Sequence, residues 1–186
     1  MASSLFFDKR QRFFVGEALE TAETLAETYF QVDLKDSDRF PYDLQTLANL
    51  RGLEKTHRAL AQVCKYEYRK KESPSKFQGR EFYRICLQDH KILNTIRAET
   101  PTLLKPLLLY VITHELIHVI RFSMEPKRFN LSPGERRIEE GDVHRATYDL
   151  LKSFEDPQVG IMLERYRPWW EKYEGDNLRL SPLDKV

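Results

Sequence analysis

From residue 8 to about 33, apolar side chains return every three or four positions: Phe14, Ala18, Ala22, Leu25 and Tyr29, flanked by Val15, Leu19 and Ala26. That period predicts a helix with one face on a core. The polar stretch 35–43, closed by Pro41, reads as a turn. A second helical stripe follows over 43–70, with Leu50, Leu53, His57, Leu60 and Cys64 in line. His57 then reads as a core histidine. Residues 69–80 carry Ser-Pro-Ser, Gly79 and five basic residues, the chemistry of a loop. In 81–88 the period shortens: Tyr83, Ile85 and Leu87 alternate with Phe82, Arg84, Cys86 and Gln88, which suits a strand. Thr100-Pro101 supplies a helix cap and first position, and a helix running to about Phe122 follows. Ser132-Pro133-Gly134-Glu135 has capping-box spacing and opens a helix over 133–154. Asp156-Pro157 opens a last helical segment to about Tyr173, before a polar tail.

These elements predict a mainly α fold with a small β element, a single domain over 1–186. Its N-terminal part, 1–70, is expected to be helical. The part from 81 to 186 carries the chemistry. The 186 residues are 41% hydrophobic and 32% charged, enough apolar material for one core. Thirty Lys and Arg stand against 29 Asp and Glu, a net charge of +1, so nothing draws the chain as a whole to nucleic acid or an anionic membrane. The basic loop (Arg69, Lys70, Lys71, Lys76, Arg80) is interrupted by Glu72 and reads as solvated, with no nucleic-acid partner expected. Two cysteines, Cys64 and Cys86, build no disulfide framework. Asp8, Lys9 and Arg10 interrupt the N-terminus before a signal sequence develops, and the most apolar run, Leu107–Thr113, falls short of the roughly 20 residues that cross a bilayer. A cytoplasmic protein with no membrane partner is expected.

One short stretch carries most of the chemistry: Thr113-His114-Glu115-Leu116-Ile117-His118. On a helix, His114 and His118 lie about 40° apart and one turn along, so both imidazoles reach one cation. Glu115 stands about 100° round from His114, beside such a cation, where it can take a proton from water. Burying three ionisable groups among Leu, Ile and Val costs several kcal/mol unless they are paired or hold a metal.

This stretch, with uncharged residues around its core and a hydrophobic residue closing it, resembles the HExxH signature of zincin metallopeptidases. The resemblance implies one Zn²⁺ per chain, held by His114, His118 and a third ligand, with Glu115 as general base and a peptide or protein as substrate. Arg121 and Met124 stand where the metzincin branch has glycine and histidine, which excludes that branch. Gluzincin-like members take a glutamate from a later helix, and Glu139 and Glu140 are both available. Around the core direction marked by Val143, Ala146, Thr147 and Leu150, they fall roughly 50° to either side, so helical geometry does not choose between them. Glu140 is favoured because His144 shares its face one turn on. His144 is then a fourth ligand, a partner of a ligand, or a donor to the transition state. The metal site is expected between the 101–122 and 133–154 helices, with the 81–88 strand along the cleft by analogy with the family.

Two other readings stand beside this one. Glu54…His57 and Glu115…His118 share the Glu-x-x-His spacing of di-iron bundles. However, the glutamates of the first helix, Glu17, Glu20, Glu23 and Glu27, point away from its apolar side. A metal-stabilised interaction protein without activity would carry the same motif. Arg121 reads as a surface residue or a bridge to a carboxylate such as Glu140, and Tyr110 and Tyr148 as packed tyrosines within reach of the site. Trp169 and Trp170 read as anchors of the last helix.

Overall fold

The computed structural model describes residues 6–67, 81–97 and 103–174, with 168–174 described by backbone alone. Helix α1 (Lys9–Phe30) starts at Asp8, whose carboxylate accepts from Gln11 N while Gln11 answers to Asp8 N. It ends at Gln31, in the left-handed region at φ 54°. Strand β1 (Tyr42–Gln45), a 3₁₀ turn (Gly52–Glu54) and strand β2 (Ala61–Glu67) follow. Then come β3 (Glu81–Leu87), α2 (Asp89–Arg97), α3 (Leu104–Met124), a second 3₁₀ turn (Pro126–Asn130), α4 (Pro133–Leu151) and α5 (Pro157–Glu174). The fold is mainly helical with one three-stranded sheet, in the order β1-β3-β2. β1 runs parallel to β3 (Tyr42 opposite Tyr83) and β2 antiparallel to it (Lys65 opposite Tyr83).

α3 is the centre of this arrangement. It is enclosed around its whole circumference, buried from Leu107 through Phe122, with its polar residues His114, Glu115, His118 and Arg121 inside as well. Pro106 falls in its first turn, where no intrahelical N–H is lost. With 21 residues, α3 is long and apolar enough to cross a membrane by length and composition, contrary to the sequence expectation, and most of it lies buried inside the described fold. α1 packs on it through Val15, Ala18, Ala22 and Ala26, small residues that let the two backbones approach. Tyr29, expected on that stripe, is 47% exposed. Tyr83, Ile85 and Leu87 of β3 face α3 in the same core, while Cys86 and Cys64 face away, under Leu47 and Leu50.

The helix expected over 43–70 does not form. Gly52 sits at φ +47°, which ends any helix there, Leu53 of the supposed stripe is 94% exposed, and His57 is exposed rather than in the core. The chain instead supplies both outer strands. β3, expected at a cleft edge, is the central strand. α2 was not anticipated; its Asp89 carboxylate anchors two distant segments, accepting from Phe7 N and Leu47 N, each at 2.9 Å. The remaining helices follow the expected bounds closely. The Thr100-Pro101 cap, the 69–80 loop, the tail after 174 and the side chains of Trp169 and Trp170 lie outside the described residues.

Candidate metal centre

α3 presents His114 and His118 on one side, and α4 brings Glu140 against them. α4 is directed there by its start: Ser132 N donates to Glu135 Oε2 (2.9 Å), with Pro133 at the first helical position. Glu140 Oε2 lies 3.4 Å from His114 Nε2, and Oε1 lies 3.3 Å from His118 Nε2. The three ligand atoms lie within 4.8 Å of one another. Bonds of about 2.0–2.1 Å to a tetrahedral zinc separate neighbouring ligand atoms by about 3.4 Å, so these spacings and the donor set of two imidazoles and a carboxylate fit that ion. Among the described residues, Nδ1 of both histidines is buried without a hydrogen-bond partner, while Nε2 of each faces the Glu140 carboxylate.

The electrostatics agree with this focus. Burial pushes the Glu140 carboxyl up, but His114 and His118 outweigh it and hold it far below the ordinary range. Burial lowers His118, and Glu140 more than reverses that, leaving it raised. Glu115, buried beside the pair, is raised by desolvation against the pull of both histidines. His144 is pushed down to about 3, first by burial and then by His114. It is therefore neutral at pH 7, and Tyr110 Oη is 2.8 Å from its Nδ1. Tyr110 is in turn stacked on Tyr166 of α5, with centroids 4.4 Å apart.

Glu139 faces elsewhere. Arg121 holds it through Nε–Oε1 (2.6 Å) and a second nitrogen on Oε2 (2.8 Å), Arg128 adds 2.8 Å to Oε2, and Arg121 also reaches Asp142 at 3.2 Å. Arg121 is thus a buried clasp between helices rather than a surface residue, and the carboxylate that it bridges to is Glu139, not Glu140. The first Glu-x-x-His pair stays apart as well. Glu54 is buried under the other face of the sheet, bonded to the Tyr66 hydroxyl, Arg51 N and Arg84. Among the described residues, His114, His118 and Glu140 are the metal-capable cluster, and His144, 4.4 Å from His114 between ring centroids, stands next to it.

A cleft of about 530 Å³ opens over this cluster. One wall is β2 with the residues leading into it, Arg58 to Val63, and the other comprises α4 and the turn before it. Among the described residues β2 pairs with β3 alone, and its first residues, Ala61, Gln62 and Val63, line the cleft in succession. Sequence reasoning missed β2, Arg58 and Tyr166. A signal for the strand was present, since Ala61, Val63 and Lys65 alternate with Gln62, Cys64 and Tyr66, but Lys65 on the inner face hides the apolar contrast. The chain matches no family model, no curated protein and no solved structure.

Proposed function

We propose that this protein is a zinc-dependent hydrolase of gluzincin-like character, a peptidase that cleaves an extended peptide or protein segment in the cleft beneath β2. The observation that carries the reading is the convergence of His114, His118 and Glu140 from two helices, with Glu115 buried alongside. One Zn²⁺ per chain, held by those three residues, would supply a Lewis acid that acidifies a water and polarises a carbonyl. Glu115 takes the proton of the attacking water on its carboxylate and delivers it to the leaving amine; burial raises its proton affinity, which favours the first of these steps. His144, neutral and oriented by Tyr110, offers a hydrogen-bond donor to the oxygen that becomes negative. The open edge of β2 offers backbone N–H and C=O groups to an extended substrate, the place first expected for the 81–88 strand.

The deciding experiment is metal content by plasma mass spectrometry on protein purified without chelators or a metal-binding tag. One zinc per chain, lost in His118→Ala, is the expected result. A chain that takes up no metal under replete conditions defeats the proposal.

A further inference from the structure

The cleft is lined by three arginines, Arg58, Arg128 and Arg136, and three glutamates, Glu115, Glu139 and Glu140. The glutamates are already committed. Glu139 is held by Arg121 and Arg128, Glu140 faces two histidines, and Glu115 is buried. Arg128 spends its guanidinium on Glu139 and Glu125. Arg58 and Arg136 remain, both exposed, and among the described residues neither has a carboxylate partner.

Their positions are informative. Arg136 sits in the opening turns of α4, the positive end of the helix dipole, where a cation is disfavoured and an acidic residue is the stabilising choice. Its place is thus unexplained by helix stability, and the helix N-terminus adds to the positive potential it projects into the cleft. Arg58 lies three residues before β2. Phe129, which precedes α4 and shares the cleft with Arg136, has its ring 5.7 Å from Lys65 Nζ, toward the other end of β2. Glu139, three residues after Arg136, is bonded to Arg128 beside Phe129, which puts Arg136 at the Phe129 end of the cleft and Arg58 at the Ala61 end.

We propose that the cleft selects acidic peptides, with Arg58 receiving a carboxylate side chain on one flank of the scissile bond and Arg136 one on the other. This rests on the peptidase reading and specifies its substrate class. Low-dielectric walls concentrate the field of both arginines on the incoming chain, so the preference acts on encounter as well as on the bound state.

The test is peptide binding by fluorescence anisotropy on Glu115→Gln protein supplemented with zinc, which measures recognition without turnover. The probes are short labelled peptides that share a randomised core and carry Glu, Gln or Lys on both flanks. The Glu set should bind about tenfold tighter than the Gln set, and the Lys set weakest, with the gap narrowing as salt is raised. Adding Arg58→Gln and Arg136→Gln together should erase the gap while zinc content and melting temperature hold. Each single change should erase the preference for Glu on one flank only. Equal binding of Glu and Gln sets, a gap that survives the double change, or no binding of any set overturns the proposal. The peptidase reading fails separately if the wild-type protein binds the Glu set and cleaves none of it.

Discussion

Arg121 and Glu139 settle, between them, which of two adjacent glutamates meets the histidines. Neighbours on a helix point about 100° apart. With Glu139 gripped by Arg121 at 2.6 and 2.8 Å, Glu140 is turned onto His114 and His118. The pair is nearly dry, with side-chain exposures of 9% and 4%. It joins α3 to α4 one turn beyond the second histidine.

Breaking that clasp from one side should be expensive. Arg121→Met leaves Glu139 buried with only Arg128 and should cost about 3 kcal/mol, the lower end for a severed buried pair. The double change Arg121→Met with Glu139→Met should cost much less than the sum of the singles. Urea denaturation of the four proteins measures this coupling, and additive losses would show that the two side chains act independently.

Acid should weaken the fold through the same residues. Burial raises Glu139, but Arg121 and Arg128 outweigh it and hold it low. For Glu54, burial is likewise outweighed by Tyr66, Arg51 N and Arg84. A carboxyl with a depressed folded pKa stabilises above its unfolded value, 4.5 here, and loses that contribution as pH falls through the folded value. Asp89, raised by burial, works in the opposite sense. Stability followed from pH 7 downward should fall below about pH 4.5, and less steeply in Glu139→Gln. Parallel acid limbs would exclude Glu139 as a source.

Zinc should stabilise the wild-type chain by an amount that grows with the logarithm of its free concentration. At one hundred times the dissociation constant the gain is about 2.7 kcal/mol. A rise in melting temperature on adding zinc is expected, reversed by chelator and absent in His114→Ala and Glu140→Ala. An equal rise in those variants would place the ion elsewhere.

Glu115→Gln separates chemistry from metal holding. The amide keeps the shape of the side chain but accepts no proton, so zinc content should be unchanged while peptide turnover falls by at least about a hundredfold. Turnover near the wild-type rate would remove Glu115 from the mechanism.

What the sequence disclosed and what it hid divide along the range of the interactions. Ser132 and Glu135 announce α4 because a cap is made by residues three apart, and His114, Glu115 and His118 share one helix turn. Glu140 was favoured over Glu139 through His144, although the decisive reason, Arg121, lies on another helix. The helix expected over 43–70 rests on Leu50, Leu53, His57, Leu60 and Cys64 falling into helical spacing, while the strand that pairs with 42–45 and 61–67 arrives only later in the chain, as in Tyr42 opposite Tyr83. In α2, Ile92, Leu93 and Ile96 carry a helical face that was there to be read.

The outer edge of β2 has one more consequence. A strand with a row of unpaired backbone groups is a template for self-association, and stacking of such edges is a common start to aggregation. Here the edge looks into a cleft, with α3 beneath and α4 opposite, and ends in the charged residues Lys65 and Glu67. Covering part of an edge with a helix and ending it in charge are two of the ways in which sheets discourage edge-to-edge pairing.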